Sequence, residues 1–199
     1  MARLALLTTL ALLVGWLALN HRRAEASEGR LGAIASEIAK RPVWVHCQGA
    51  VGAALDVSGE AGSVQFDAEG RPASTAELKR GVCSALRRFP RERNAPEFDC
   101  LERDLTCPRD VIRSAWAVQT LAHEAWHLAG IRDEARTECY GLQTTAYVAE
   151  RLGADFAQAQ TLARYLYRHI YPRMPAGYVS GDCRDGGALD LRAETTDFP

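Results

Sequence analysis

The chain lacks a surplus of charge of either sign: its 199 residues carry 24 Lys and Arg against 25 Asp and Glu, a formal net charge of −1. That near-balance excludes a basic nucleic-acid binder and an acidic disordered tail. Only one long apolar run is present, which excludes a multi-span membrane protein. No cysteine pair has the Cys-x-x-Cys spacing of a zinc ribbon or a thioredoxin motif. There is no internal repeat and no low-complexity tract, and Gly186-Gly187 is a turn signal rather than a phosphate loop. What remains, 47% hydrophobic and 25% charged, is the composition of an ordinary globular protein of one domain.

The apolar run lies at the start. Leu4 to Leu19 contains no charged residue. As a helix it spans roughly 24 Å, short of the roughly 30 Å of a hydrocarbon core and close to the length of a signal-peptide apolar region. Arg3 precedes it, and Ala24-Glu25-Ala26 offers a small-x-small cleavage pattern before Ser27. Arg22 and Arg23, just ahead of that pattern, favour retention. Residues 1–26 are therefore expected to be a signal peptide or an N-terminal membrane anchor, with residues 27–199 a single exported domain. That domain would be secreted, or held on the extracytoplasmic face through a single-span N-terminus. Setting aside Arg3, Arg22, Arg23 and Glu25 leaves 21 basic and 24 acidic residues, a net of −3.

Six cysteines follow the leader: Cys47, Cys83, Cys100, Cys107, Cys139 and Cys183. An exported chain favours disulfides over buried thiols. Six cysteines allow about 15 pairings; Cys100 and Cys107 are close enough to close a small loop.

The pattern of elements predicts an α+β fold, with a small N-terminal sheet packed on a helical half. Leu31, Ile34 and Ile38 give a weak helical pattern over residues 27–41. Val43–Cys47 and Ser63–Phe66 read as short strands, with a turn from Asp67 to Pro72. Ser74 or Thr75 is placed to cap a helix reaching about Arg88, with Leu78, Val82, Ala85 and Leu86 on one face. Residues 89–109 read as irregular. Three helices follow: from Asp110 to Gly130, from Asp133 to Gly153, and from Asp155 to just before Pro172. The tail from Arg173 reads as loop.

The chemistry sits in His123-Glu124-Ala125-Trp126-His127. On a helix, residues four apart share a face about 6 Å apart along the axis. Two imidazoles there can converge on one zinc ion, and Glu124, at the edge of that face, can take a proton from a zinc-activated water. A third ligand is needed, and Asp133, Glu134 and Glu138 follow directly. If the two helices form an antiparallel hairpin, His127 faces Glu134 and His123 faces Glu138.

This arrangement, over residues 111–152, resembles the thermolysin-like gluzincins among the zinc metallopeptidases with an H-E-x-x-H motif. The resemblance implies that Glu134 completes the metal site and that Glu138 orients His123 from behind. It also implies a Zn2+ cofactor, a peptide or protein substrate, and Glu124 as the catalytic base. His123 to Asp133 also reads H-E-x-x-H-x-x-G-x-x-D, which is similar to the metzincin pattern; there Asp133 would be the ligand and Met174, the only internal Met, the place of a Met-turn. In zincins an edge strand above the active-site helix receives the substrate backbone, a role that falls here to the strand of Trp44 and Val45. His169 and Tyr178 are candidates to stabilise an oxyanion, and His46 reads as structural. The reading from another class is a non-catalytic exported domain with a structural or vestigial zinc site. A structural site needs a fourth protein ligand, which requires both Glu134 and Glu138 to bind.

Overall fold

A computed structural model describes residues 2–49, 60–103, 106–195 and 198–199. The apolar run and the helical pattern behind it form one element, helix α1, Ala2–Ala39. No proline interrupts the chain before Pro42, so the helix continues where the composition turns polar. Its C-terminal turns bury Leu31, Ile34, Ala35 and Ile38, an i, i+3, i+4, i+7 face. Its earlier turns leave Leu12, Leu13, Val14, Trp16 and Leu19 exposed; the side chains of residues 4–11 lie outside the described ones. Among the described residues no helix is long and apolar enough to cross a membrane. The Ala26–Ser27 bond falls inside α1, so cleavage there would leave the core-forming turns with the domain.

A three-stranded sheet follows: β1, Trp44–Cys47; β2, Gly62–Phe66; β3, Pro72–Leu78. The order is β1-β3-β2, with β1 parallel and β2 antiparallel to the central β3. The β2–β3 turn is fixed by Asp67, whose Oδ1 accepts from the amides of Glu69 at 3.1 Å and Arg71 at 2.8 Å. The sequence places a helix cap at Ser74 or Thr75, but these residues lie in β3. Residues 72–78 alternate, with Ala76 and Leu78 buried, and the segment pairs on both sides; sheet context overrides the helical spacing there. Helix α2 begins only at Arg80 and runs to Glu92.

The helical half starts with a short turn, α3, Asp99–Glu102. Helix α4, Arg109–Leu128, is the hub, packing against α1, α2, β3 and the next helix α5, Glu134–Arg151. Ala115, Val118, Leu121, Ala122, Ala125 and Leu128 are all buried along it. Arg41 ties the end of α4 to the sheet: its Nε donates to the Leu128 carbonyl at 3.0 Å and its Nη2 to the Ala73 carbonyl at 2.7 Å. That places a cation at the negative end of the α4 dipole. Helix α6, Phe156–Tyr165, opens on a capping box of Asp155 and Gln158 and continues as one π turn, Leu166–Ile170. The fold is α+β, a small sheet packed on a helical half.

Three disulfides form. Cys47–Cys83 joins β1 to α2, Cys100–Cys107 closes the small loop after α3, and Cys139–Cys183 ties α5 to the C-terminal tail. They fit an extracellular protein. The Cys139–Cys183 link spans a sequence separation of 44. Chain entropy puts the loss of such a link at about 4 kcal/mol. A C139A/C183A variant is therefore expected to unfold at markedly lower urea than the parent; a midpoint shift worth under about 1 kcal/mol would contradict a stapling role for it.

Candidate metal centre

The site is built where α4 and α5 run antiparallel. Helix α4 carries His123 and His127 one turn apart, with ring centroids separated by 4.7 Å. Gly130, at φ 102°, reverses the chain after α4. Asp133 then caps α5, its Oδ1 accepting from the Arg136 amide at 2.8 Å. Capping is the role the structure gives Asp133, and it places the adjacent Glu134 against both histidines. Glu134 Oε2 lies 3.2 Å from His123 Nε2 and 3.4 Å from His127 Nε2. One ligand atom from each of these three residues falls within 4.8 Å of the others, so the group can hold a metal ion.

The remaining ring nitrogens fix which atoms face the site. His127 Nδ1 lies 2.7 Å from the Ile131 carbonyl. A carbonyl only accepts, so Nδ1 carries the hydrogen and the Nε2 lone pair points at Glu134. His123 Nδ1 donates to Glu138 Oε2 at 2.8 Å, and the same oxygen accepts from Gln119 Nε2 at 2.7 Å. Glu138 therefore lies behind His123, apart from the converging atoms. Two imidazole lone pairs and a carboxylate oxygen make a donor set that suits a borderline cation.

Two close approaches bring these groups together. A Cβ at Gly141 on α5 would lie 3.1 Å from His123 Cα, so the helices pack backbone to backbone there. A Cβ at Gly62 on β2 would lie 2.7 Å from Glu124 Oε1 and 2.8 Å from Leu78 Cδ2. Glycine at that point lets the edge strand close over the Glu124 carboxylate, whose Oε2 is buried with no hydrogen-bond partner among the described residues.

The electrostatics follow from burial and from four carboxylates. Burial pushes the Glu124 carboxyl up to about 7; the His123 ring offsets part of this, and Glu134, Glu60 and Glu138 add to it. Burial opposes charge on His123, but its hydrogen bonds to Glu134 and Glu138 outweigh that and raise it to about 10. His127 moves down, through burial and the charge on His123. Glu134 moves down, held by the hydrogen bond from His123 against its burial. A potential that keeps a proton on a buried imidazole also favours a metal cation in its place.

These groups form the floor of a cleft of about 590 Å³. Strand β2 forms one wall, and the tail supplies Met174, Pro175 and Tyr178. The Tyr178 ring lies 6.0 Å from that of His123, and the Phe66 ring 6.0 Å from that of His127. The strand along the cleft is thus β2, whereas Trp44 and Val45 lie on β1 at the opposite edge of the sheet. His169 stacks on Tyr165 with centroids 4.6 Å apart and does not line the cleft. His46 lies 3.6 Å from Glu28. The sequence reading missed Gln119, although it lies one turn before His123 on the same helix face. It also missed Gly62 and Gly141, whose role depends on partners distant in the chain.

The chain matches no protein-family model, and comparison with curated proteins and with solved structures finds no match.

The hydrogen bond from His123 to Glu138 generates a prediction. Removing such an outer partner typically weakens metal binding about 10–100-fold. If the group holds a metal, Glu138→Ala should lower the affinity for it by that amount in a chelator competition, and an unchanged affinity would contradict an orienting role for Glu138.

Proposed function

We propose that the protein is an exported zinc-dependent peptidase. The observation that carries this reading is the convergence of His123 Nε2, His127 Nε2 and Glu134 Oε2 beside a buried Glu124 oxygen with no hydrogen-bond partner among the described residues. Nitrogen and oxygen donors of this kind suit zinc, and all six cysteines are used in disulfides rather than as ligands. Held by His123, His127 and Glu134, zinc would supply Lewis acidity that polarises a carbonyl and lowers the pKa of water.

The chain's own groups do the rest. Glu124 takes the proton as the water oxygen bonds to the peptide carbonyl carbon. It then gives that proton to the amine nitrogen as the C–N bond breaks. Tyr178, which lines the cleft with its ring 6.0 Å from that of His123, would donate its hydroxyl to the developing oxyanion. Glu138 and Gln119 hold the His123 ring, and the Ile131 carbonyl holds that of His127.

A structural zinc site is closed by four protein ligands. Here the fourth acid of the region, Glu138, engages His123 at Nδ1, away from the converging atoms, and the group opens onto the cleft. Both observations favour a site with room for substrate. Export rests on the apolar leader together with the three disulfides.

Glu124→Gln tests the reading. It should retain the zinc content of the parent and lose about 10²–10⁴-fold in peptide hydrolysis, the usual contribution of a general acid–base group. Hydrolysis that survives at the parent rate would refute the mechanism.

A further inference from the structure

We infer that Arg132 makes the cleft selective for peptides that carry a carboxylate two or three residues from the scissile bond, on the His127 side. This inference rests on the peptidase reading above.

The cleft has a direction. Gly62, at the start of β2, abuts Glu124, and Phe66, at its end, abuts His127. The strand therefore runs alongside α4 in the same sense. One end of the cleft lies toward Glu60 and Trp116, the other toward Phe66 and Arg132. Trp116 precedes His127 by three helical turns, about 16 Å.

The charges along the cleft are lopsided. Four glutamates line it: Glu60, Glu124, Glu134 and Glu138. Among the described lining residues Arg132 is the only Lys or Arg. Its guanidinium carbon sits 5.4 Å over the centre of the Phe66 ring. Arg132 Nη1 lies on the Gly70 side, 3.3 Å from where a Cβ there would sit, and a guanidinium beside an aromatic ring keeps edge N–H groups for a further partner. Among the described residues Arg132 forms no ion pair, whereas Glu134 and Glu138 are both engaged by histidine. A guanidinium fork beside an aromatic ring in the cleft wall matches the bidentate geometry of a carboxylate.

Distance sets the position. Phe66 neighbours both Arg132 and His127, its ring centre 5.4 Å from the guanidinium carbon and 6.0 Å from the imidazole centre. With both distances added, the guanidinium is at most about 11 Å from the His127 ring. An extended peptide advances about 3.3 Å per residue, so a side chain or a chain terminus two or three residues away reaches it. A lysine or arginine at that place would meet a like charge.

The test uses the zinc-loaded full chain. Cleavage of a peptide library, capped at both ends, is profiled by mass spectrometry with the parent, Arg132→Ala and Arg132→Glu. In parallel, dissociation constants are measured for capped Asp, Ala and Lys peptides, and for one with a free C-terminal carboxylate. These use the inactive Glu124→Gln protein with and without each Arg132 change, with zinc content checked throughout. Arg132 is exposed, so the expected preference for Asp over Ala is about two- to fivefold. It should vanish in Arg132→Ala, turn toward Lys in Arg132→Glu, and weaken at high salt. Preference seen in capped peptides assigns the carboxylate to a side chain; preference confined to the free terminus assigns it to the chain end. Either supports the inference. Cleavage with equal use of Asp, Ala and Lys overturns it while leaving the peptidase reading intact. Binding that follows Arg132 without any cleavage keeps the carboxylate site and overturns the peptidase reading. Absence of both overturns both.

Discussion

The site depends on how closely α5 lies against α4. Gly141 faces the backbone of His123, where an added Cβ would sit 3.1 Å from His123 Cα, closer than most real contacts. That contact sets the separation and the rotation of the hairpin together. With the register so fixed, residues seven and three positions earlier on α5, Glu134 and Glu138, meet His123 on its two different nitrogens. Thr137 and Cys139, between and beside them, are fully buried. Cys139 reaches outward to Cys183 and brings in the tail that bears Met174 and Tyr178. One helix contact thus positions the candidate metal ligands, their outer support and a wall of the cleft.

The cost of this arrangement is electrostatic. His123, Glu124, His127 and Glu138 are all buried, and burial of ionisable groups is unfavourable unless each is paired. Glu138 is paired twice, by His123 and Gln119. His127 is paired with a carbonyl. Glu124 is the exception: among the described residues one of its oxygens has no partner, under an edge strand where a side chain at Gly62 would have to displace it. A buried acid with an oxygen unfilled among the described residues adds little to stability. The rest of the fold offsets the cost through the apolar faces of α1, α2, α4 and α5 and through three covalent links.

The legible parts were those in which one helical period carries both packing and chemistry. The i, i+4 histidines and the capped start of α5 fix the hairpin arithmetic, and Asp133 caps the helix that presents Glu134. The even cysteine count and the leader indicated disulfides, but not their pairing, which depends on which elements become neighbours. The spacing of Leu78, Val82, Ala85 and Leu86 fits a helical face as well as a strand; a partner strand on each side of residues 72–78 decides the matter. The continuity of α1 across the polar stretch was not visible for a related reason, since its later turns are held by packing on β1 and α4. Gly62 and Arg132 carried no local signal at all. Each acquires meaning only from a residue about 60 positions away, Glu124 for the one and Phe66 for the other.

The central claim is that His123, His127 and Glu134 bind one metal ion. X-ray absorption at the zinc edge of the purified protein tests it most directly, combined with metal analysis. The account predicts one zinc per chain, about 2.0–2.1 Å from nitrogen and oxygen scatterers, with the multiple-scattering pattern of two imidazoles and no sulfur. A sulfur shell near about 2.3 Å, or a protein that takes up no stoichiometric metal with all three side chains intact, would contradict it.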